Sequence, residues 1–133
     1  MTKTLRILHS GLAILVFIIL FFVFLPMFLV PILVPEWHHL TGVINRIWAK
    51  VFFALILIPY DLEYRFTREK NEQYVFCPNH FSYFDIPSMG LNRVNTIFVG
   101  KSDMEKIPLF GYMYRKLHIT VDRESLKSRY ATL

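Results

Sequence analysis

Asn79-His80-Phe81-Ser82-Tyr83-Phe84-Asp85 is the stretch where an apolar run, residues 74–77, gives way to a helix-start pattern. A histidine titrates near neutral pH, so an imidazole held by a carboxylate can take a proton from a hydroxyl and later return it to a leaving group. His80 and Asp85 are candidates for that pair. Five residues of continuous helix would turn their side chains about 140° apart, so they meet only where His80 lies on a loop that runs into a helix. Ser82 with Asp85 three places on reads as a capping box, and Pro87 is tolerated best in a first turn, which puts the helix start between Ser82 and Asp85. Asp85 then sits at the positive end of the helix dipole, which favours its ionised form. The plain alternative is a capping aspartate, an N-cap serine and an ordinary loop histidine.

Working outward, residues 74–77 read as a buried strand leading into the His80 loop, at the strand-to-helix junction where open α/β sheets place ligands. Residues 62–67 alternate apolar and polar as a half-exposed strand, and 68–72 form a charged turn. Residues 96–99 predict another short strand, 109–117 a helix, 118–121 a further buried strand, and Glu124 begins a last helix.

The front of the chain has a different character. Of 133 residues, 54% are apolar, unusual for a soluble globular protein. Residues 1–60 carry one acid, Glu36, and four bases, whereas nine acids and eleven bases follow. Residues 11–34 contain no charge, enough for about 36 Å of helix against a hydrocarbon core of about 30 Å. No small-residue cleavage site follows, so the segment reads as a retained span, with Pro26, Pro31 and Pro35 leaving room for a bend. Residues 43–60 predict a second apolar helix, either spanning or interfacial, with Asn45, Arg46 and Lys50 reaching lipid headgroups and Trp48 and Tyr60 as interfacial anchors. The expected organisation is a membrane-embedded two-helix anchor over 1–60 and an incomplete α/β domain over 61–133.

A net charge of +5 beside a membrane segment favours anionic lipid as the partner, and no basic stripe interleaved with aromatics argues for nucleic acid. Cys77, the single cysteine, reads as a packed strand residue on a reducing face rather than a catalytic thiol. His38-His39 alone is no metal site, since ligand sets are larger and supported.

Asn79-His80-x-Ser82-x-x-Asp85 resembles the N-H-x-S-x-x-D block of the glycerophospholipid acyltransferase family, in particular the 1-acylglycerol-3-phosphate (lysophosphatidate) type. Gly100-Lys101-Ser102-Asp103-Met104, then Pro108, Gly111 and Val121-Asp122-Arg123, is similar to that family's K-x-E-L-x-x-x-P-x-x-G block and its closing arginine, with Asp103 and Met104 departing from Glu and Leu. The resemblance covers about residues 74–123. The family's E-G-T-R and proline-containing blocks do not occur before Leu133, so the chain reads as the first half of the domain.

That resemblance implies a mixed sheet flanked by helices and transfer of a fatty acyl group from acyl-CoA or acyl carrier protein to the sn-2 hydroxyl of a lysophosphatidate, with no cofactor. His80 would be the general base and Asp85 its orienting partner. Arg123 and Lys101 are candidates for the acceptor phosphate. Asn79, Ser82, Gly100, Pro108 and Gly111 would shape the site. It also implies a bacterial-type inner membrane with the site on the cytoplasmic side, in keeping with bases at Lys3, Arg6, Arg65, Arg68 and Lys70. A nucleophilic Ser82 is the less suitable idea, because two residues is a poor spacing for in-line transfer to His80. The alternatives are an inert truncated relative that keeps the His80 block, and a sister enzyme for another lysolipid.

Overall fold

The computed structural model describes residues 2–65, 67, 69, 72–79 and 81–131. Helix α1 runs Lys3–Leu33 without a break through Pro26 and Pro31, about 46 Å long at 1.5 Å per residue. It begins well before residue 11 because the Thr2 side chain accepts the Leu5 N–H at 3.4 Å and so caps it. A one-turn 3₁₀ helix, Pro35–Trp37, leads to α2, Leu40–Leu55.

The second helix stops short of Tyr60, and its end shows why. Leu57 takes a left-handed conformation, φ 56°, while Leu57 N–H bonds Ala54 O at 3.2 Å and Ile58 N–H bonds Phe53 O at 3.2 Å. This is a Schellman-type termination with leucine where glycine is usual, and Pro59 follows it. At 16 residues α2 reaches only about 24 Å, less than a bilayer's hydrocarbon thickness. Among the described residues, α1 is the one helix long and apolar enough to cross a membrane.

The two helices form an antiparallel hairpin. His9 Nε2 lies 2.8 Å from Ile56 O near one end, and Phe17 meets Trp48 and Phe52 edge-on at 5.3 and 6.1 Å further along. Trp48 stacks on Phe52 at 5.3 Å inside this seam, so it is a packing residue of the hairpin.

After the hairpin come α3, Asp85–Gly90, then β1, Val99–Lys101, a 3₁₀ turn over Ser102–Lys106, α4, Phe110–Leu117, β2, Ile119–Val121, and α5, Leu126–Tyr130. The strands pair in parallel, Val99 with Ile119 and Lys101 with Val121, so β1, α4 and β2 make a β-α-β unit. Among the described residues the expected mixed sheet is reduced to this pair. Residues 62–65 and 74–77 are irregular, and the expected strand and turn between them fall partly on Phe66, Arg68, Lys70 and Asn71, outside the described residues. The physical reason is that an alternating or apolar run becomes a strand only when a neighbour takes up its backbone groups. Cys77 and Val75 are accordingly exposed rather than packed. The first strand starts at Val99, later than the apolar run suggests.

One apolar core, containing Ala13, Leu20, Phe24, Ile44, Ala49, Phe52, Ile56, Leu91, Met113 and Leu117, joins the hairpin to α4 and the end of α3. Gly111, in the first turn of α4, packs against the preceding 3₁₀ turn: a Cβ there would run into the carbonyl of Glu105. The expected outcome for Gly111→Ala is therefore a loss of about 1–3 kcal/mol from a backbone shift, read as a lowered thermal midpoint in detergent. An unchanged midpoint would contradict the packing.

Candidate active site

The loop after residue 79 folds onto the start of α3. Phe81 N–H and Ser82 N–H both donate to Asp85 Oδ2 at 2.8 Å. Ser82 Oγ accepts from Phe84 N–H at 3.1 Å, and Asp85 N–H bonds Ser82 O at 3.1 Å. This is one half of the capping box, the carboxylate reaching back to the loop amides. The serine differs from expectation in forming a local turn to Phe84, and Phe84 occupies the N-cap position. Ser82 is thereby engaged as a turn residue. The carboxylate is doubly anchored, and a helix start with two donated N–H groups stabilises its charge.

His80 lies outside the described residues. Its sequence neighbours are placed: Asn79 is exposed on one side, and Phe81, 90% exposed, is tied to Asp85 on the other. Tyr83 is 93% exposed, whereas Phe84 turns inward to meet Phe52 of α2 at 6.2 Å. The residue beside Asp85 is thus packed against the apolar hairpin.

Register brings the two basic candidates to one edge. Lys101 closes β1 opposite Val121, and Arg123 follows β2 by two residues, so both lie at the carboxyl end of the parallel pair, where α/β sheets bind ligands. Their surroundings differ. Lys101 pairs with Asp103, as does Lys106 at 2.7 Å. These bonds from Lys101 and then Lys106 hold the Asp103 carboxyl down to about 2, and Asp103 in turn raises Lys106. Lys101 is therefore already engaged by a carboxylate. Arg123 is exposed, and among the described residues the ion pairs leave it out. Asp122, its sequence neighbour, accepts the Glu124 N–H at 3.0 Å and shapes the turn.

Gly100 lies in β1 under the Tyr114 hydroxyl, Gly111 in the first turn of α4, and Pro108 in the turn before it, where its carbonyl accepts the Phe110 N–H at 2.6 Å. These are packing and turn positions. Among the described residues, no group of three or more His, Cys, Asp or Glu could hold a metal.

Two residues that the sequence reading did not place at the site support it. Arg46, expected at lipid headgroups, instead donates from Nε to Asn92 O at 2.9 Å and from Nη2 to Arg93 O at 2.8 Å. A guanidinium inside an apolar run was the available signal. His118 closes α4, its ring 5.1 Å from Phe98 and 5.2 Å from Tyr114, and its Nδ1 accepts the Phe98 N–H at 3.3 Å. That acceptor role fixes the neutral ring with its proton on Nε2.

Fold and site together define an α/β unit seated on an apolar hairpin, with a helix-start carboxylate beside a histidine in sequence and cations at the strand ends. The family model described as Acyltransferase matches residues 61–133, more than half of the chain, and the chain belongs to the acyltransferase family. No curated protein and no solved structure matches it.

Burial lowers the His118 pKa to about 4 from an ordinary 6.5. Between those values the unfolded chain binds a proton that the native ring refuses, so stability falls as pH drops through the window and is unaffected above it. The full effect is at most about 3 kcal/mol. His118→Phe is expected to flatten this decline in unfolding midpoints measured from about pH 7 to about pH 4; a parallel decline in both proteins would contradict it.

Proposed function

We propose that the chain is part of a membrane-bound acyltransferase that moves a fatty acyl group from acyl-CoA or acyl carrier protein to the sn-2 hydroxyl of 1-acylglycerol-3-phosphate, giving phosphatidate. Family membership supports acyl transfer in general. The observation that carries the finer reading is the Asp85 carboxylate, anchored by the amides of Phe81 and Ser82 directly after His80 in sequence. A thioester already has a good leaving group, so the protein's task is to activate the hydroxyl, orient it and stabilise the developing charge. His80 acts as the base for the hydroxyl and returns the proton to the departing thiolate, and Asp85 holds the imidazole and balances its positive charge. No covalent acyl-enzyme is required.

Arg123 suits the acceptor phosphate, since its planar fork makes two parallel bonds to an oxyanion. Lys101 serves that role less directly, because Asp103 holds it. The acceptor's acyl chain is accommodated by the hairpin. Only 22% of the most apolar window of α1 is buried within the protein, leaving Ile14, Ile18 and Phe22 among its exposed side chains. That uncovered surface supports membrane attachment by lipid contact. The inward face of α1 meets α4, Phe21 against Phe110 at 6.0 Å, and α4 carries Arg115 and Lys116. A charged helix against the middle of α1 favours attachment from one side, with the site at the cytoplasmic surface of a bacterial-type inner membrane.

In the full chain with long-chain acyl-CoA and lysophosphatidate in vesicles, His80→Ala is expected to lower turnover by about 10²–10⁴-fold while membrane attachment persists. Retained turnover would overturn the mechanism. Ser82→Ala removes only a turn contact and is expected to keep activity within about tenfold of the parent; complete loss would revive the nucleophile idea. Arg123→Ala is expected to raise the KM for lysophosphatidate about tenfold or more, as loss of a charged hydrogen bond does; an unchanged KM would exclude the phosphate role.

A further inference from the structure

A guanidinium in an apolar helix is tolerated only where its donors are satisfied, and Arg46 of α2 satisfies them on backbone. Nε bonds Asn92 O at 2.9 Å and Nη2 bonds Arg93 O at 2.8 Å. One planar fork on two successive carbonyls fixes direction as well as distance. Those carbonyls lie just past the C-terminal end of α3, where a cation is also favoured by the helix dipole. Because α3 has six residues, about 9 Å of helix, the Arg46 contact at one end and Asp85 at the other belong to one short unit.

Further contacts restrain the same unit from other directions. Gly90 packs so closely on α2 that a Cβ there would lie 3.1 Å from the Ala49 Cβ and 3.2 Å from Asn45 O. Asn95 Nδ2 donates to His39 O at 2.9 Å, and its side chain fills the space above Gly42 that any larger residue would need. On the outer side, the Tyr64 hydroxyl accepts the Arg93 N–H at 3.2 Å, and the Arg93 guanidinium lies 4.8 Å from the Tyr64 ring centroid. Residues 92–95 are thereby fastened to the first half of α2.

We propose that Arg46 is a positioning residue for acyl transfer, holding α3 and its Asp85 loop at one depth and angle against the membrane hairpin. The proposal rests on the acyl-transfer reading above. A long-chain acceptor keeps its hydroxyl at a set depth in the bilayer surface and cannot follow a displaced site. Misplacement of about 1 Å between reacting groups costs on the order of 10²-fold. A short-chain acceptor dissolved in water has no such constraint and can reach a displaced site.

The test uses the full chain in vesicles of phosphatidylcholine and phosphatidylglycerol, with long-chain lysophosphatidate in the bilayer or a six-carbon analogue dissolved as monomers. Arg46→Ala is expected to lower kcat on the bilayer acceptor about tenfold or more and on the dissolved acceptor less than about threefold. Lys127→Ala, which removes an exposed charge from α5, is expected to leave both unchanged. Equal losses on both acceptors in a folded Arg46→Ala protein, or no loss on either, would overturn the proposal. Where the alanine variant does not fold, Arg46→Lys serves, since one ammonium cannot replace the fork; it should show the same split at smaller size, and an absence of split would count against the clamp. A nitroxide on Cys77, the single and exposed cysteine, gives a readout independent of turnover. Its depth in the bilayer should shift or broaden in Arg46→Ala at unchanged helix content, and an unchanged depth would also overturn the proposal. Failure of the acyl-transfer reading shows separately, as parent protein that acylates neither acceptor.

Discussion

The ring of Phe52 joins the parts of this chain. It is stacked by Trp48, met edge-on by Phe17 and Phe53, and touched by Phe84, the residue before Asp85. Aromatic rings in such offset and edge-on contacts contribute about 0.5–1.5 kcal/mol each beyond the area they bury, and here the same ring serves α1, α2 and the start of α3. A second series runs from Phe21 of α1 through Phe110, Tyr114 and His118 to Phe98 beside β1. The polar segments therefore do not hang from an anchor by a linker. They are built onto the inward face of the hairpin, and the small parallel pair gains through α4 the burial that two three-residue strands could not supply alone.

This construction explains which parts of the fold were legible in the sequence. The α4 helix and β2 strand fall close to where periodicity and apolar runs put them, because they lie next to each other and pack locally. The start of α3 was legible for the same reason, since Ser82, Asp85 and Pro87 are cap and first-turn chemistry that acts over a few residues. Residues 62–65 and 74–77 carry strand-like patterns but take irregular backbone, because alternation fixes which side chains face inward and not which neighbouring backbone a segment pairs with. The end of α2 was hidden because a leucine, Leu57, adopts the backbone that normally announces itself with glycine. The composition of α2 suits lipid headgroups and protein carbonyls equally, so the true partners of Arg46 depend on tertiary contacts distant in sequence.

The candidate site divides along the same line. Asp85 at a helix start was readable, and the structure adds the double donation from Phe81 and Ser82 to one of its oxygens. Lys101 and Arg123, twenty-two positions apart, come together through strand register, which the spacing of the second block encodes only indirectly. Asp103, a departure from glutamate in the resembling block, holds both Lys101 and Lys106.

Under the proposed function, an acyl donor carried on a water-soluble thioester and a lipid acceptor meet at a boundary, so placement matters as much as the catalytic groups. General-base chemistry is modest in its demands when the leaving group is a thiolate, and much of the remaining barrier is orientation. An enzyme in that position gains most by making its site rigid with respect to the membrane rather than with respect to a large soluble core. The features of this chain fit that requirement: a six-residue helix bearing the carboxylate, pressed onto α2 at Gly90, with the loop that follows it gripped by an arginine from the apolar hairpin itself. The two carbonyls that Arg46 binds account for an arginine in an apolar helix, where apolar surroundings alone would disfavour it.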